Sequence, residues 1–324
     1  MRGWPASCDV QSRRRPSIYA MATVFEGTFS DQEAQLFKIV FVRLAAALHA
    51  SQTVVARFLE PAAPGSPSAR ARSGQTWDAY ELVGLFQYSG EDHLRAMLIL
   101  FEGRLLPTYA LFTLLRAAAE AIVRCAYLLD PGITESQRLA RALNVRLVNL
   151  IQQNKAAPDE VLQASRVAYL EQRAADNGIV VFKSAKNNVV THFSEPRRNE
   201  VELFARYVKP LEAGSGAEAP VGKMLYRYLS GQVHSMLWVK LSQAESVSTD
   251  EPGMSSVKLD LQFDWLAGML SLVLRVHEHN MLNLLQLSGY PSVVWEEAKK
   301  TAMVAAQTRY VELAERQARE HETP

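Results

Sequence analysis

Cysteine is nearly missing from this chain. Cys8 and Cys125 are its only two, which leaves no disulfide framework and no cysteine-built zinc site. Two isolated thiols fit a reducing cytoplasm, the expected location. An excess of one charge sign is missing as well: 35 Lys and Arg stand against 34 Asp and Glu, a net charge of +1. No global field therefore draws the protein to nucleic acid or to an anionic membrane, although a local basic patch remains open. The apolar runs around Leu105–Leu115 and Trp265–Leu274 are bounded by Arg104 and Arg116 and by Asp264 and Arg275. They reach about half of the roughly 20 residues that a membrane-spanning helix needs, so no membrane partner is expected. The N-terminus, MRGWPASCDVQSRRRPSIYA, has no apolar segment of the secretory type. Residues 1–25 read as a disordered tail, with Arg13, Arg14 and Arg15 as tail charges and either Met1 or Met21 as the native start.

Nucleotide and metal signatures are absent too. There is no GxGxxG after a strand, no P-loop and no GxSxG elbow. His277-Glu278-His279 looks like a metal cluster, but residues two apart on a helix point about 200° from each other, and the H-E-x-x-H spacing is missing. No metal and no cofactor are expected.

What is present is helical periodicity. Apolar residues recur at helical spacing from Ser30 to Glu60 and stop at Pro61. Residues 61–76, rich in Pro, Ser, Ala and Arg, read as a flexible loop. Helices follow at about 77–88, 92–101 (with Ser89 to Asp92 as a capping box), 105–129, 134–154 (Thr134 to Gln137 as a second capping box) and 159–176. Residues 179–193 are strand-like around Asn187-Asn188, so at most one small hairpin is expected there. Further helices are expected from Ser194-Glu195-Pro196 to about Val208, then at 221–240, 261–287 and 292–319, with a polar loop at 243–256. The predicted fold is an all-α bundle of roughly nine helices, a single domain over 30–320.

Several of these helices carry a polar line where a core helix is usually apolar. On 221–240, Lys223, Arg227, Ser230 and His234 fall within about 60° of one another. On 105–129, Tyr109, Thr113, Arg116, Glu120 and Tyr127 share a face, and Glu120 is four residues from both Arg116 and Arg124. Asp264, Ser271, Arg275 and Glu278 make a third line. The lines can face one another in a shared polar layer, with Glu120 and Glu278 as partners for the arginines. Such a layer can hold helix register, or it can form a site. In the second case Arg227 holds a phosphate, His234 moves a proton, and Ser230, Glu120 and Arg116 position them. This combination can cleave RNA without metal through the ribose 2′-OH. Arg138, Arg141 and Arg146 read as solvated surface. Lys183, Lys186, Arg197 and Arg198 read the same way, and if the protein handles RNA they are the expected backbone contacts; Cys125 reads as core.

The Arg-x-x-x-Glu helix (Arg116, Glu120) and the Tyr-x-x-x-Ser-x-x-x-His helix (Tyr226, Ser230, His234) resemble a group of bacterial all-helical proteins similar to the HEPN superfamily. That superfamily includes toxin and abortive-infection (phage-defence) ribonucleases. Arg227 and His234 match its Arg-x(4–6)-His motif with six intervening residues. The resemblance implies a metal-independent endoribonuclease whose site lies at a homodimer interface. The chain differs at Tyr228, where active members usually have a small polar residue. The alternative is a non-catalytic helical binding or scaffold protein whose polar lines are internal salt bridges.

Overall fold

The computed structural model describes residues 31–74, 76–103, 107–209, 221–234, 244–248, 255–259 and 263–321. Among the described residues there are ten helices and two antiparallel hairpins. In chain order they are α1 (Asp31–Leu59), α2 (Pro67–Ser73), α3 (Asp78–Glu102), α4 (Thr108–Leu129), α5 (Glu135–Ala156), α6 (Glu160–Asp176), β1 (Val181–Lys183), β2 (Val190–Phe193), α7 (Glu200–Tyr207), α8 (Val221–Val233), β3 (Ala244–Ser248), β4 (Ser255–Leu259), α9 (Phe263–Ser288) and α10 (Val293–His321). This is the all-α bundle that the periodicity predicts, with the small hairpin at β1–β2. The N-terminal tail, with its three arginines, and the end of the helix expected at 221–240 lie outside the described residues.

α4 lies at the centre of the packing. It contacts α3, α7, α8 and α9, while α1 lies along α9 and α10. Phe41 and Leu44 of α1, Leu94 of α3, Leu111 and Phe112 of α4 and Leu270 of α9 are fully buried in one apolar core. Each such side chain stabilises the fold by about 1.5–3 kcal/mol relative to exposure. A smaller cluster joins Leu139, Leu143 and Leu147 of α5 to Leu170 of α6 and to Val190 and Phe193 of β2. Asn144 fastens that hairpin to α5. Its amide donates to Phe193 O and Glu195 O, both at 3.0 Å, and its Oδ1 accepts from Phe193 N at 2.9 Å. The helix at Gln32–Leu59 is, by length and composition, apolar enough to cross a membrane. In this fold 56% of that apolar window is buried inside the protein, as in a core helix.

The structure departs from the periodicity at several points, each with a local cause. Within 61–76, read as a flexible loop, Pro67–Ser73 form a helix. Ser66 Oγ accepts from Ala69 N at 3.3 Å, and proline occupies the first turn, where its missing N–H costs nothing. α3 runs through Ser89-Gly90-Glu91-Asp92 without a break. Gly90 belongs there for packing: a Cβ at this position would meet Ile122 Cγ1 at 2.9 Å. α7 starts at Glu200 and not at Ser194, under a reciprocal box in which Asn199 caps Glu202 N and Glu202 returns to Asn199 N, both at 3.0 Å. The segment read as a polar loop at 243–256 contains β3, which pairs with β4 in a second hairpin.

Arg138 and Arg141, read as solvated surface, are 1% and 2% exposed. They bind the open end of α4. Arg138 donates to Leu128 O, and Arg141 donates to Tyr127 O at 2.8 Å. The last carbonyls of a helix have no partner within it, and a buried helix end needs donors from elsewhere. Two arginines one turn apart on the next helix meet that need.

Candidate functional site

α8 is seated on α4 and α7 by close packing at its start and aromatic contacts along it. Gly222 lies against the backbone of α7, where an added Cβ would come within 2.0 Å of Phe204 O. Tyr226 meets Phe204 edge-on, with ring centroids 5.2 Å apart. Tyr228, buried, meets Phe112 of α4 at 5.9 Å and stacks on Trp265 of α9 at 5.4 Å. Its hydroxyl accepts from Gln232 Nε2 at 3.1 Å. These contacts fix the rotation of α8 and so decide which of its polar residues meets α4.

His234, the residue that follows α8, reaches α4. Its Nε2 lies 3.3 Å from Arg116 Nη1. Arg116 is held from the other side by Glu120, with Nε donating to Oε1 at 2.8 Å, and its guanidinium lies 5.8 Å from the centre of the Tyr226 ring. The side chains of Arg116 and Glu120 are 17% and 23% exposed, whereas His234 is exposed. Arginine has donors only. For Arg116 to bond His234, the imidazole Nε2 must accept, so the neutral ring carries its proton on Nδ1. The site is thus a half-buried cation with one face on a carboxylate and one donor on an exposed, acceptor-ready imidazole.

Of the expected site residues, Arg116, Glu120 and His234 come together. Ser230 is half-buried one turn before His234, and its carbonyl accepts from His234 N at 3.0 Å. Arg227 is exposed and has no hydrogen-bond or ion-pair partner among the described residues. It shares a face with His234, but seven residues of helix place them about 10 Å apart along the axis. Arg116, and not Arg227, is therefore the cation beside the imidazole. Lys183 pairs with Glu171 at 2.6 Å on the hairpin that packs on α5 and α6. Lys186 is exposed at the turn of the same hairpin, and Arg197 and Arg198 are exposed in the connection leading into α7.

The three polar lines do not merge into one layer. Arg124 pairs with Glu200 of α7, its Nε donating to Oε1 at 3.0 Å. Glu278 turns toward α10, where it pairs with Lys299 and accepts from Trp295 Nε1 at 3.1 Å. Burial alone would raise the Glu278 carboxyl, but those two bonds hold it below the usual carboxylate range.

A further polar group was not identified from the sequence. His277, fully buried, places Nε2 3.3 Å from Glu91 Oε1 and 2.9 Å from Gln87 Nε2 of α3. Arg95 donates to the other oxygen of Glu91 at 2.7 Å. The available signal was Gln87, Glu91 and Arg95 at four-residue spacing, the same kind of polar line that marks α4 and α8. It was hidden because Glu91 reads equally well as part of a capping box. Comparisons with models of known protein families, with curated proteins and with solved structures find no match to this chain.

Proposed function

We propose that the Arg116–His234 pair is the centre of a HEPN-like, metal-independent RNA-cleaving site. The observation that supports this reading is the 3.3 Å contact between a carboxylate-braced arginine and an exposed imidazole nitrogen. A phosphodiester arriving at Arg116 competes for the guanidinium donors through charge-assisted hydrogen bonds, which are stronger than the bond to a neutral imidazole. His234 Nε2 is then free to accept a proton.

In the proposed reaction Nε2 takes the 2′-OH proton as that oxygen attacks the adjacent phosphorus. Arg116 stabilises the charge growing on the non-bridging oxygens. The bond to the 5′-oxygen breaks, and the leaving oxygen takes a proton from water. The products are a 2′,3′-cyclic phosphate and a 5′-hydroxyl end. Glu120 acts as a positioning residue through Arg116, and Ser230 keeps the last turn of α8 in place. Arg227, exposed and unpaired among the described residues, recruits a neighbouring phosphate of the strand.

The second reading is a non-catalytic binding protein. Its own observation is that the other polar lines end in complete pairs, Arg124 with Glu200 and Glu278 with Lys299. End-labelled RNA incubated with wild type, Arg116→Ala and His234→Ala separates the two readings. Cleavage by wild type that falls by roughly 100-fold or more in each variant, with unchanged thermal melts, is the expected outcome. A wild type that leaves RNA intact supports the binding protein.

A further inference from the structure

The β1–β2 hairpin carries an aromatic pair on its outer face. Val190 and Phe193 are buried in the cluster with Leu139, Leu143 and Leu147, which fixes the inner face. Phe182 and His192 lie opposite each other across the strands. Their rings stack, with centroids 4.4 Å apart and planes 8° apart. His192 covers one face of the phenyl ring, yet Phe182 remains 42% exposed, so the other side of the ring is open.

The hydrogen bonds decide what His192 offers. Thr191 Oγ1 donates to Phe182 O at 3.0 Å, which uses its only proton. His192 Nδ1, 3.0 Å from the same hydroxyl oxygen, therefore donates to it. Nε2 of the neutral ring then carries a lone pair and has no partner among the described residues. Such an acceptor suits the N–H groups of a nucleobase.

Cations stand at both ends of the ring pair. Lys186 is at the hairpin turn, and Arg197 and Arg198 are in the connection to α7. All three are exposed, and their side chains have no hydrogen-bond or ion-pair partner among the described residues. Lys183 is not one of them, because Glu171 holds it at 2.6 Å. Carboxylates of the same stretch are engaged elsewhere. Glu195 pairs with Arg141 at 3.4 Å, Glu200 pairs with Arg124, and Glu202 accepts from Asn199 N at 3.0 Å.

We infer that the outer face of this hairpin docks single-stranded RNA, with one base stacked on the open face of Phe182 and phosphates at Lys186, Arg197 and Arg198. A single strand presents unpaired bases alternating with phosphates, which matches rings set between cations. An acidic peptide would match the cations and leave the rings unused. The choice of RNA rests on the function proposed above, and the hairpin lies within reach of that site. The connection with Arg197 and Arg198 leads to Glu200, which pairs with Arg124. Arg124 is eight residues along α4 from Arg116, about 12 Å at the rise of an α-helix.

Fluorescence anisotropy with a labelled RNA of mixed sequence, as single strand and as duplex, tests the assignment. It is run on the full chain in a His234→Ala background, which keeps the strand intact. The single strand is expected to bind more tightly than the duplex. Phe182→Ala should weaken that binding by roughly 5- to 100-fold, the loss of one stacked base, and Phe182→Trp, which keeps a ring, should retain it. Lys186→Ala, Arg197→Ala and Arg198→Ala together should lower the slope of log affinity against log salt by about 2. All four positions are exposed, and melting curves check that the variants remain folded. The inference is overturned if no RNA binds, if the duplex binds as tightly, if Phe182→Ala binds like its parent, or if the salt slope is unchanged. It is also overturned if the variants lose phosphatidylserine vesicles and keep RNA. Binding with these properties by a wild type that cleaves nothing contradicts the proposed function alone. Cleavage by a wild type whose RNA binding ignores these variants contradicts the docking face alone.

Discussion

The chemistry at the residue scale turns on one substitution of partners. Arg227 and His234 share a helical face, but the side chain that reaches the imidazole is Arg116, on another helix. Spacing within a helix reports which residues share a face. It says nothing of which element that face meets. Cys125 makes the complementary point, because its neighbours decide its reactivity. It is fully buried, its Sγ lies 3.7 Å from Gln87 Oε1, and burial with the nearby Glu91 charge pushes the thiol far above its ordinary value. Maleimide labelling followed by peptide mass analysis is therefore expected to leave Cys125 unmodified in the folded protein at pH 8 and to modify it in denaturant. Rapid labelling in the native state would show the α3–α4 packing to be wrong.

The most sensitive points at the element scale are those where two backbones touch. α8 is positioned by Gly222 against α7, and no side chain fits between Gly222 and Phe204 O. Gly222→Ala is expected to lower stability by about 1–3 kcal/mol through overpacking and, by tilting α8, to reduce RNA cleavage as well. Urea unfolding and cleavage rates measured on the same preparation check both effects. A neutral alanine would mean that α8 is not held this way. The same scale shows what the sequence makes legible. The periodic helices α1, α4, α5, α9 and α10 can be read from it because each buries an apolar face, whereas α6, which buries Leu170 and Ala174, is marked by its Asp159 cap. The Thr134–Gln137 capping box can be read because its partners are three residues apart. Gly90 is not legible in this way, because a glycine placed for close contact with Ile122 looks, in one dimension, like the start of a new helix. Arg138 and Arg141 look like surface residues in the sequence because the carbonyls they bind belong to a different helix. The polar line of Gln87, Glu91 and Arg95 is local, but it does not name His277, which lies 186 positions from Glu91.

The buried carboxylates make stability depend on pH at the scale of the whole molecule. Burial alone would raise the Glu91 carboxyl, but its bonds to His277 and Gln87 outweigh that and hold it below the ordinary value. Asp130 is likewise held low, its burial outweighed by Gly132 N, Tyr207 and Arg141. A carboxylate whose pKa is lower folded than unfolded contributes stability that is fully present above the unfolded value, about 4.3 for glutamate. That contribution is lost as pH falls from there through the folded value. Urea midpoints should therefore drop between pH 6 and pH 3.5, and Glu91→Gln should flatten part of the drop. An identical pH slope in the variant would remove Glu91 from this role.

The bundle as a whole brings α4 and α8 together so that an arginine anchored on one presents a donor to a histidine exposed on the other. The most direct test of the function proposed for that contact compares wild-type cleavage of one oligonucleotide made either as RNA or with 2′-O-methyl riboses. The account predicts cleavage of the RNA with 2′,3′-cyclic phosphate ends and none of the methylated strand. Equal cleavage of both, or of neither, contradicts it.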